Sequence, residues 1–208
     1  MNTNSQLHRP PRSRKRKIGI AAACFLGFIL IVVLALAIAV QCSRKPWRSP
    51  DTTGWQTGDI FFSAGNSWKS LAVRLFGDKS EEGSTHCGIV MMRDGVPMLV
   101  HMSTETGEIR AEYIEDYARV NDVSTVTVRR LRQLPDTVVL RHYVDYLFRR
   151  KKRFDNSFNA RDTTEYYCTE FVIHAMDHAG NSSFMPLLTD DYIYPEQLET
   201  SPAVSRLP

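Results

Sequence analysis

The chain begins with one long apolar run and continues as a series of short amphipathic segments. Residues 18–40 are 23 consecutive positions without a charged side chain, whereas the later apolar stretches are short and alternate with polar residues. At a rise of about 1.5 Å per residue, a helix of this length spans a hydrocarbon core of about 30 Å. The pattern therefore predicts a single transmembrane helix over residues 18–40, through which the protein would be held in a membrane.

Basic residues are distributed unevenly around this apolar run. Six Lys or Arg residues lie within 1–17, but only three follow the run, within 44–48. Because the more basic flank normally stays in the cytoplasm, we expect 1–17 to be a cytoplasmic tail. The rest of the chain would then be extracytoplasmic, on the periplasmic side of the inner membrane in a bacterium. A cleaved signal peptide is the weaker interpretation, because its apolar region normally has about 7 to 15 residues. Lipidation at Cys42 also ranks below a retained anchor.

The region after the apolar run divides into a linker and one folded domain. Two prolines and many small polar residues in 41–54 favour a linker, and 55–208 has the length of a single globular domain. The apolar residues 60–62 follow Gly58 and predict the start of a short strand. Apolar positions at helical spacing predict a helix over 67–77.

A tight hairpin is the strongest local prediction. Asp94 and Gly95 lie between two apolar runs, and Asp-Gly is a frequent sequence in two-residue hairpin turns. Strands are expected over 87–92 and 97–102. The further elements are a short helix or turn at 112–120, a strand at 124–131, an amphipathic helix beginning at Pro135, a helix from Cys168 to near Gly180, and a loop-rich tail after Asn181. Antiparallel strands with separate helices predict an α+β domain.

The charge balance argues against nucleic acid as a partner. Nine of the 26 Lys and Arg residues fall within 1–48, which leaves 17 against 23 acidic residues in the rest of the chain. The predicted domain is therefore slightly acidic, unlike a nucleic-acid-binding module. The basic run 149–153 is a local exception, and a solvated charge run at a helix end is favoured over a binding patch.

Cys168 occupies an unusual position for a structural cysteine. It stands at the predicted start of a helix, between two tyrosines and a Thr-Glu pair, rather than inside an apolar run. A helix N-terminus lowers the pKa of a thiol, and a neighbouring imidazole can keep it as thiolate. Cys168 is therefore the candidate nucleophile.

Two of the six histidines lie where the predicted hairpin would bring them together. His86 precedes Asp94 by eight residues and His101 follows it by seven, so both belong at the open end of the two strands. One imidazole would act as the base for Cys168, and the other would orient it. The other histidines are less suited: His8 lies in the tail, His142 on an amphipathic helix, and His174 and His178 on a helical face turned away from Cys168.

The second cysteine of the domain is interpreted as structural. Cys87 adjoins His86, but successive residues of a strand point to opposite faces, so a small buried thiol in the sheet is expected there. Four cysteines are too few for a disulfide framework, although an oxidising compartment would permit a bridge between Cys87 and Cys168. A zinc site of His86, His101 and Cys168 is a minor alternative; we expect no metal and no cofactor.

Several of these segments together resemble a known family. They are GDI at 58–60, THCGIV at 85–90, FDNSF at 154–158 and YYCTEFV at 166–172. In order and spacing they are similar to the circularly permuted papain-like cysteine hydrolases of the NlpC-type superfamily, and most similar to the YiiX/YaeF-like amidase branch. The similarity covers about residues 55–180 and implies a permuted papain-like fold, in which an antiparallel sheet packs on helices.

The resemblance also assigns roles to individual residues. It implies Cys168 as nucleophile and His86 as base, in the order His before Cys that the permuted branch has. The third polar position falls on His101, where YiiX-like proteins often have an acidic residue, so this position is closer to the lecithin:retinol acyltransferase-like branch. Tyr166 and Tyr167 are candidate substrate-binding residues.

The expected function is a membrane-anchored cysteine amidase or peptidase. It would cleave an acyl amide through a thioester on Cys168, with cell-wall peptides such as those of peptidoglycan as one substrate class. Two alternatives stay open. The first is a lipid acyl hydrolase or acyltransferase, and the second is a catalytically inactive papain-like domain that serves as a binding module.

Overall fold

The computed structural model describes residues 25–35, 37–38, 47–66, 83–160, 163–189 and 192–207. The chain divides into two units, Met1–Arg44 and Lys45–Pro208. In the first unit, the described residues 25–35 and 37–38 are helical. No helix within the described ranges combines the length and the apolar character that a membrane crossing requires. Both ends of the predicted transmembrane segment 18–40, and the predicted helix 67–77, lie outside the described residues.

The second unit is built on a six-stranded antiparallel sheet in the order β4-β3-β2-β1-β5-β6. Its strands are β1 (Ile60–Gly65), β2 (His86–Arg93), β3 (Val96–Met102), β4 (Ile109–Tyr113), β5 (Val123–Leu131) and β6 (Val204–Arg206). The helices are α1 (Ile114–Val120), α2 (Thr137–Arg149), α3 (Cys168–His178) and α4 (Pro195–Glu199), with a 3-10 helix at Met185–Thr189. The predicted α+β class is confirmed.

The hairpin forms as the sequence predicts, with strands slightly longer than expected. Asp94 and Gly95 both have positive φ, 52° and 79°, which is the backbone of a type I′ turn. The register pairs Ile89 with Val100, and continuing it outward places His101 opposite Gly88. Residues two apart on a strand share a face, so His86 and His101 lie on the same face of the sheet.

The two faces of the sheet carry different helices. On one face, Cys87 and Ile89 of β2 belong to a large apolar cluster that includes residues of α2 and α3. On the other face, Phe61 and Val90 pack with α1 in a smaller cluster. Both faces of the central strands are therefore buried, which explains why β1 is apolar at nearly every position.

Several short elements of the structure were not expected from the sequence. Strand β4 has mostly exposed residues, and β6 has only three residues, so neither has a clear period of two. The tail after Asn181, expected to be loop-rich, contains the 3-10 helix, α4 and β6. The predicted short helix or turn at 112–120 is α1, and the helix expected from Pro135 begins at Thr137, after the N-cap Asp136.

Part of the predicted linker belongs to the folded unit. The second unit, Lys45–Pro208, includes the described residues 47–54. The indole of Trp47 donates a 2.8 Å hydrogen bond to Glu115 of α1, and its ring packs against the smaller apolar cluster. Residues 47–54 are therefore attached to the domain by side-chain contacts, although they form no helix or strand.

A buried ion pair fixes the start of β1. Asp59 is fully buried, and its carboxylate accepts bonds from Arg130 Nε at 2.7 Å, from Arg130 Nη2 at 2.8 Å and from the Gln56 amide at 2.8 Å. Breaking a buried pair costs more than the pair contributes, because one charge is left without a partner. The side chain of Arg130 is 26% exposed, so solvent partly screens the remaining charge.

We expect Asp59→Asn to lower the free energy of unfolding by about 2 kcal/mol, measured by urea titration of the full-length protein. Asp116→Asn is the matched control, since Asp116 pairs with Arg119 at 2.9 Å on the surface. It should change the same free energy by less than about 0.5 kcal/mol. Equal effects of the two variants would contradict a special contribution of the buried pair.

Candidate active site

Cys168 is the first residue of α3. The helix starts here because Tyr167 has an extended backbone, and because a side-chain oxygen of Glu170 accepts a 3.0 Å hydrogen bond from the Tyr167 amide. Through this contact Glu170 supports the helix N-terminus. The thiol of Cys168 thus lies in the first turn, where free backbone N–H groups favour negative charge, and the residue is only 7% exposed.

The two histidines of the hairpin contact each other directly. Nε2 of His86 lies 2.9 Å from Nδ1 of His101, and the two rings are perpendicular with centroids 4.9 Å apart. The prediction that the hairpin brings them together is confirmed. His86 is half-buried at the end of β2, whereas His101 is 2% exposed.

Cys168 contacts both Cys87 and His86. The hydrogen bond with the Cys87 thiol, followed by the charge of His86 and a hydrogen bond with it, lowers the pKa of Cys168 well below that of an ordinary thiol, against the opposing effect of burial. Nε2 of His86 is engaged by His101, which leaves Nδ1 as the ring nitrogen available to a thiol. The arrangement therefore favours a thiolate beside an imidazole that is held from its other side.

Cys87 is the small buried thiol in the sheet that the sequence predicts, but it also contacts the candidate nucleophile. Cys87 does face α2 and α3, opposite to His86, which stacks on Tyr117 at 5.7 Å on the other face of the sheet. However, Cys168 lies beside the end of β2, where both side chains reach it. Burial, followed by the contact with Cys168, raises the pKa of Cys87 well above that of an ordinary thiol. Cys87 therefore stays protonated and donates to the thiolate.

His101 is held in its neutral form. Burial, and secondarily the charge of His86, lowers the pKa of His101 well below its usual value. A neutral imidazole has one donor and one acceptor nitrogen, so when His86 donates from Nε2 the proton of His101 is on Nε2. That atom is fully buried and has no hydrogen-bond partner among the described residues; the carboxylate of Glu112 is 4.0 Å away.

Tyr117 of α1 forms the floor beneath both histidines. Its ring lies 5.7 Å from that of His86 and 5.0 Å from that of His101. Its hydroxyl shares a 2.8 Å hydrogen bond with Ser63 of β1, and burial raises its pKa. Neither residue was expected at the site. Tyr117 follows Ile114 by three residues on the apolar side of α1, which predicts only that it is buried.

The candidate substrate-binding tyrosines lie in the core. Tyr167 is fully buried, and its hydroxyl accepts a 2.9 Å hydrogen bond from the amide of Ile193. Tyr166 is also buried, between the ring of His174 at 4.7 Å and the ammonium of Lys152 at 3.7 Å. Packing accounts for Tyr167, whereas Tyr166, although mostly buried, is also among the residues that line an open cleft beside the end of α2.

An accessible aromatic surface beside the thiol comes from two other residues. Phe158 is 41% exposed and contacts the rings of Tyr167 and Tyr192 at 5.6 and 5.3 Å. Tyr192 is half-buried and stacks on Tyr167 at 5.3 Å, and its pKa is raised, first by burial and then by Cys168. Phe158 has φ of +54°, which is rare for a bulky residue, and Asp155 supports this loop by accepting bonds from two backbone amides.

Glu170 adds no second negative charge close to the thiolate at neutral pH. Burial raises its pKa to about 8. One of its oxygens caps α3, and the other is buried without a hydrogen-bond partner among the described residues. A protonated Glu170 is therefore compatible with the thiolate form of Cys168 near pH 7.

The remaining histidines of the folded unit and the basic run lie in other surroundings. His178 stacks on Tyr143 at 4.2 Å, as His174 does on Tyr166, and His142 is exposed on α2. The basic run 149–153 begins at the last residue of α2. Its residues 150–153, together with Tyr143, Tyr146 and Tyr166, line an open cleft of about 600 Å³.

Comparison with known proteins gives a likeness in structure but none in sequence. No family model matches the chain, and no curated protein matches it. A solved structure, that of the metalloprotein YiiX from Escherichia coli O157:H7, is similar with a TM-score of 0.59 and 19% sequence identity. The likeness covers 74% of this chain and 96% of YiiX. At this identity it shows that the two chains share a fold.

Proposed function

We propose that the folded unit is a cysteine hydrolase that cleaves an acyl amide through a thioester on Cys168. One observation carries this proposal: the thiol of Cys168 begins a helix and contacts His86, whose other ring nitrogen is hydrogen-bonded to His101. A nucleophile, a base and an orienting group in one chain of contacts are the parts that thiol hydrolysis needs. The order of His86 before Cys168, and the likeness to YiiX, support a permuted papain-like fold.

In the proposed reaction the thiolate of Cys168 attacks the acyl carbonyl carbon. The backbone N–H groups of the first turn of α3 stabilise the oxyanion, since such groups have no partner within the helix. Protonated His86 gives its proton to the leaving amine. His101 keeps the imidazole of His86 in position through the hydrogen bond between Nε2 of His86 and Nδ1 of His101. His86 then takes a proton from water, which hydrolyses the thioester and releases the acid.

Metal chemistry does not enter this proposal, although YiiX is called a metalloprotein. Within the described ranges, no three His, Cys, Asp or Glu side chains are arranged to hold a metal ion. His86 and His101 direct ring nitrogens at each other, 2.9 Å apart, instead of toward a common point. The residues present therefore do not fit the zinc site considered from the sequence.

We also propose that residues 18–40 anchor the protein in a membrane, with 1–17 in the cytoplasm and the hydrolase unit outside it. The uncharged length of 18–40 and the excess of basic residues before it support this arrangement. Cell-wall peptides, including those of peptidoglycan, are then an accessible substrate class. The slightly acidic composition of the chain after residue 48 supports a partner other than nucleic acid.

A second candidate is hydrolysis or transfer of a lipid acyl group. The exposed ring of Phe158 favours it, because this ring contacts Tyr192, Tyr192 interacts with the charge of Cys168, and an apolar acyl chain would bury this surface. The chemistry at the thiol would be the same, with an alcohol as leaving group in place of an amine. The third alternative, an inactive binding domain, predicts no covalent intermediate.

The test is to trap the acyl-enzyme on the full-length protein. We expect N-acyl peptides to add the mass of the acyl group to Cys168 after rapid acid quenching, and Cys168→Ala to lower turnover by at least about 10³-fold. Turnover of long-chain esters, with peptides left intact, would favour the lipid reaction. Failure of every acyl amide and ester to modify Cys168 would contradict the hydrolase and favour the binding module.

A further inference from the structure

The two cysteines of the folded unit form a thiol pair that the proposed hydrolysis does not use. Cys87 projects from β2 toward α3, Cys168 begins α3, and their side chains are hydrogen-bonded to each other. Both are free thiols in this structure. A hydrogen bond between two thiols brings the sulfur atoms close together, so a bond of about 2.05 Å needs only a small further approach.

The surroundings give the two sulfurs different chemistry. Cys168 lies at the helix N-terminus beside His86, and its contacts lower its pKa, whereas burial raises the pKa of Cys87. Thiolates react with peroxides, and neutral thiols react far more slowly. Cys87 is fully buried, while 7% of Cys168 is exposed, so an oxidant from solution reaches Cys168 first.

We propose that Cys87 is a resolving cysteine, which closes a reversible disulfide with Cys168 after a hydroperoxide has oxidised the Cys168 thiolate. The inference deepens the proposed function, since it assigns a regulation to the same thiol and rests on Cys168 being the nucleophile. In the bridged form the sulfur of Cys168 is bonded to that of Cys87 and is no longer a thiolate, so it does not attack an acyl carbonyl and hydrolysis stops until a thiol reductant opens the bond.

The chemistry needs only the hydroperoxide as oxidant. The Cys168 thiolate attacks one peroxide oxygen, the O–O bond breaks, and the departing oxygen takes a proton and leaves as water or alcohol. Cys168 is now a sulfenic acid. The sulfur of Cys87 attacks the Cys168 sulfur, the S–O bond breaks, and the hydroxide that leaves takes the Cys87 proton to form water. The two thiols lose two electrons in total, and the peroxide gains them.

His86 and Cys87 lie on opposite faces of the sheet, so the proposed hydrolysis and the disulfide formation use different neighbours of Cys168. His86 approaches Cys168 from the face that carries α1, whereas Cys87 approaches it from the face that carries α2 and α3. Forming the bridge therefore does not require the contact between His86 and His101 to break. The pair of cysteines is a site of modification built into the core beside the proposed active site.

The experiment treats the full-length protein with one to five equivalents of hydrogen peroxide, blocks free thiols with iodoacetamide and digests without reductant. Trypsin cleaves after Lys79, Arg93, Arg161 and Arg206, so Cys87 and Cys168 fall in separate peptides. We expect peptides 80–93 and 162–206 to appear linked and 2 Da lighter than their sum. Dithiothreitol should separate them. Linkage of Cys168 to Cys24 or Cys42 instead of Cys87 would overturn the proposal.

Cys87→Ser is the matched variant, since serine keeps a small donor beside the thiolate but forms no disulfide. In this variant we expect the Cys168 peptide to gain two oxygens as a sulfinic acid, which dithiothreitol does not reverse. The proposal is overturned if wild-type Cys168 also proceeds to the sulfinic acid while Cys87 is recovered alkylated. Circular dichroism before oxidation shows whether the variant has folded.

The same digest separates failure of this inference from failure of the proposed hydrolysis, because linkage is detected without a substrate. Where an acyl substrate is turned over, peroxide should lower its turnover at least tenfold in the wild type, and dithiothreitol should restore it. Linked peptides in a protein that forms no acyl-enzyme would retain the redox site and reject the hydrolase. An acyl-enzyme without linked peptides would support the hydrolase and reject the redox site.

Discussion

Replacing His86 with alanine is expected to slow the alkylation of Cys168 by iodoacetamide at pH 6 by about 10- to 100-fold. The hydrogen bond with Cys87, followed by the charge and hydrogen bond of His86, lowers the pKa of Cys168, so the wild-type thiol stays ionised below the usual range for thiols. Without His86 the pKa rises, and an ordinary thiol with pKa of about 8.5 is only about 0.3% thiolate at pH 6. The smaller intrinsic reactivity of a low-pKa thiolate reduces the difference in rate.

The measurement is the labelling rate of the Cys168 peptide by mass spectrometry between pH 5 and pH 10, on the full-length protein. The labelling rates of Cys168 in the wild type and in His86→Ala should differ most at low pH. They should converge above about pH 9, where Cys168 is ionised in both proteins. Cys87, buried and protonated, should label slowly throughout. His142→Ala is the control, because His142 is exposed on α2.

The same substitution should lower kcat/KM for any acyl substrate by about 10²- to 10⁴-fold, since it removes both the thiolate partner and the proton donor. Identical labelling of wild type and His86→Ala at pH 6 would contradict the pairing of thiol and imidazole. Normal labelling with no turnover in the variant would instead assign His86 to proton transfer alone.

The parts of the fold that the sequence predicts are those that rest on local signals. The hairpin follows from Asp94 and Gly95 between two apolar runs, and α3 begins at Cys168 because Glu170 can cap it. Strands β4 and β6 lie toward the two edges of the sheet and are too short or too exposed to alternate clearly. Their positions depend on pairing with strands already formed, which no local pattern contains.

In the candidate site, too, the residues joined by a local signal are predictable from the sequence, and those brought in by packing are not. His86 and His101 are predictable neighbours because one turn joins their strands. Nearly equal numbers of residues separate each of them from the turn, so the two side chains lie close together. Tyr117 and Cys87 join the site from opposite faces of the sheet, and their contacts depend on how α1 and α3 pack there. Strand alternation alone therefore separates Cys87 from His86, although both reach Cys168.

The accessible aromatic surface shows the limit of motif reasoning. Tyr166 and Tyr167 precede the nucleophile in the sequence, yet Tyr167 is fully buried and Tyr166 leaves only a small part of its surface at the cleft beside α2. Phe158 and Tyr192 come from segments with no regular periodicity. Their rings contact each other, and both contact the ring of Tyr167. Which aromatic ring faces solvent is decided by loop geometry such as the positive φ of Phe158.

Gly88 is the position where one added methyl group should damage the site most. It lies between His86 and the middle of β2, directly across from His101. A Cβ atom there would lie 2.6 Å from the carbonyl oxygen of Val100, 2.7 Å from Leu99 Cδ1 and 2.9 Å from His101 Cβ. A carbonyl in a strand cannot rotate away as a side chain can, so β3 must shift.

We expect Gly88→Ala to lower the free energy of unfolding by about 3 kcal/mol and to separate His86 from His101. Labelling of Cys168 at pH 6 should then fall toward the rate in His86→Ala, even in the fraction of protein that is folded.

Gly54→Ala is the matched control: its φ of +79° disfavours alanine, but no atom lies within 4 Å of the new methyl group. Its cost should be about 1 kcal/mol, from the backbone alone, without any change in labelling. If Gly88→Ala were as stable as Gly54→Ala and labelled like the wild type, the contact between the two histidines would not depend on close approach of β2 and β3. Reduced labelling with nearly normal stability would instead show that the spacing of these strands at Gly88 serves the thiol site more than the fold.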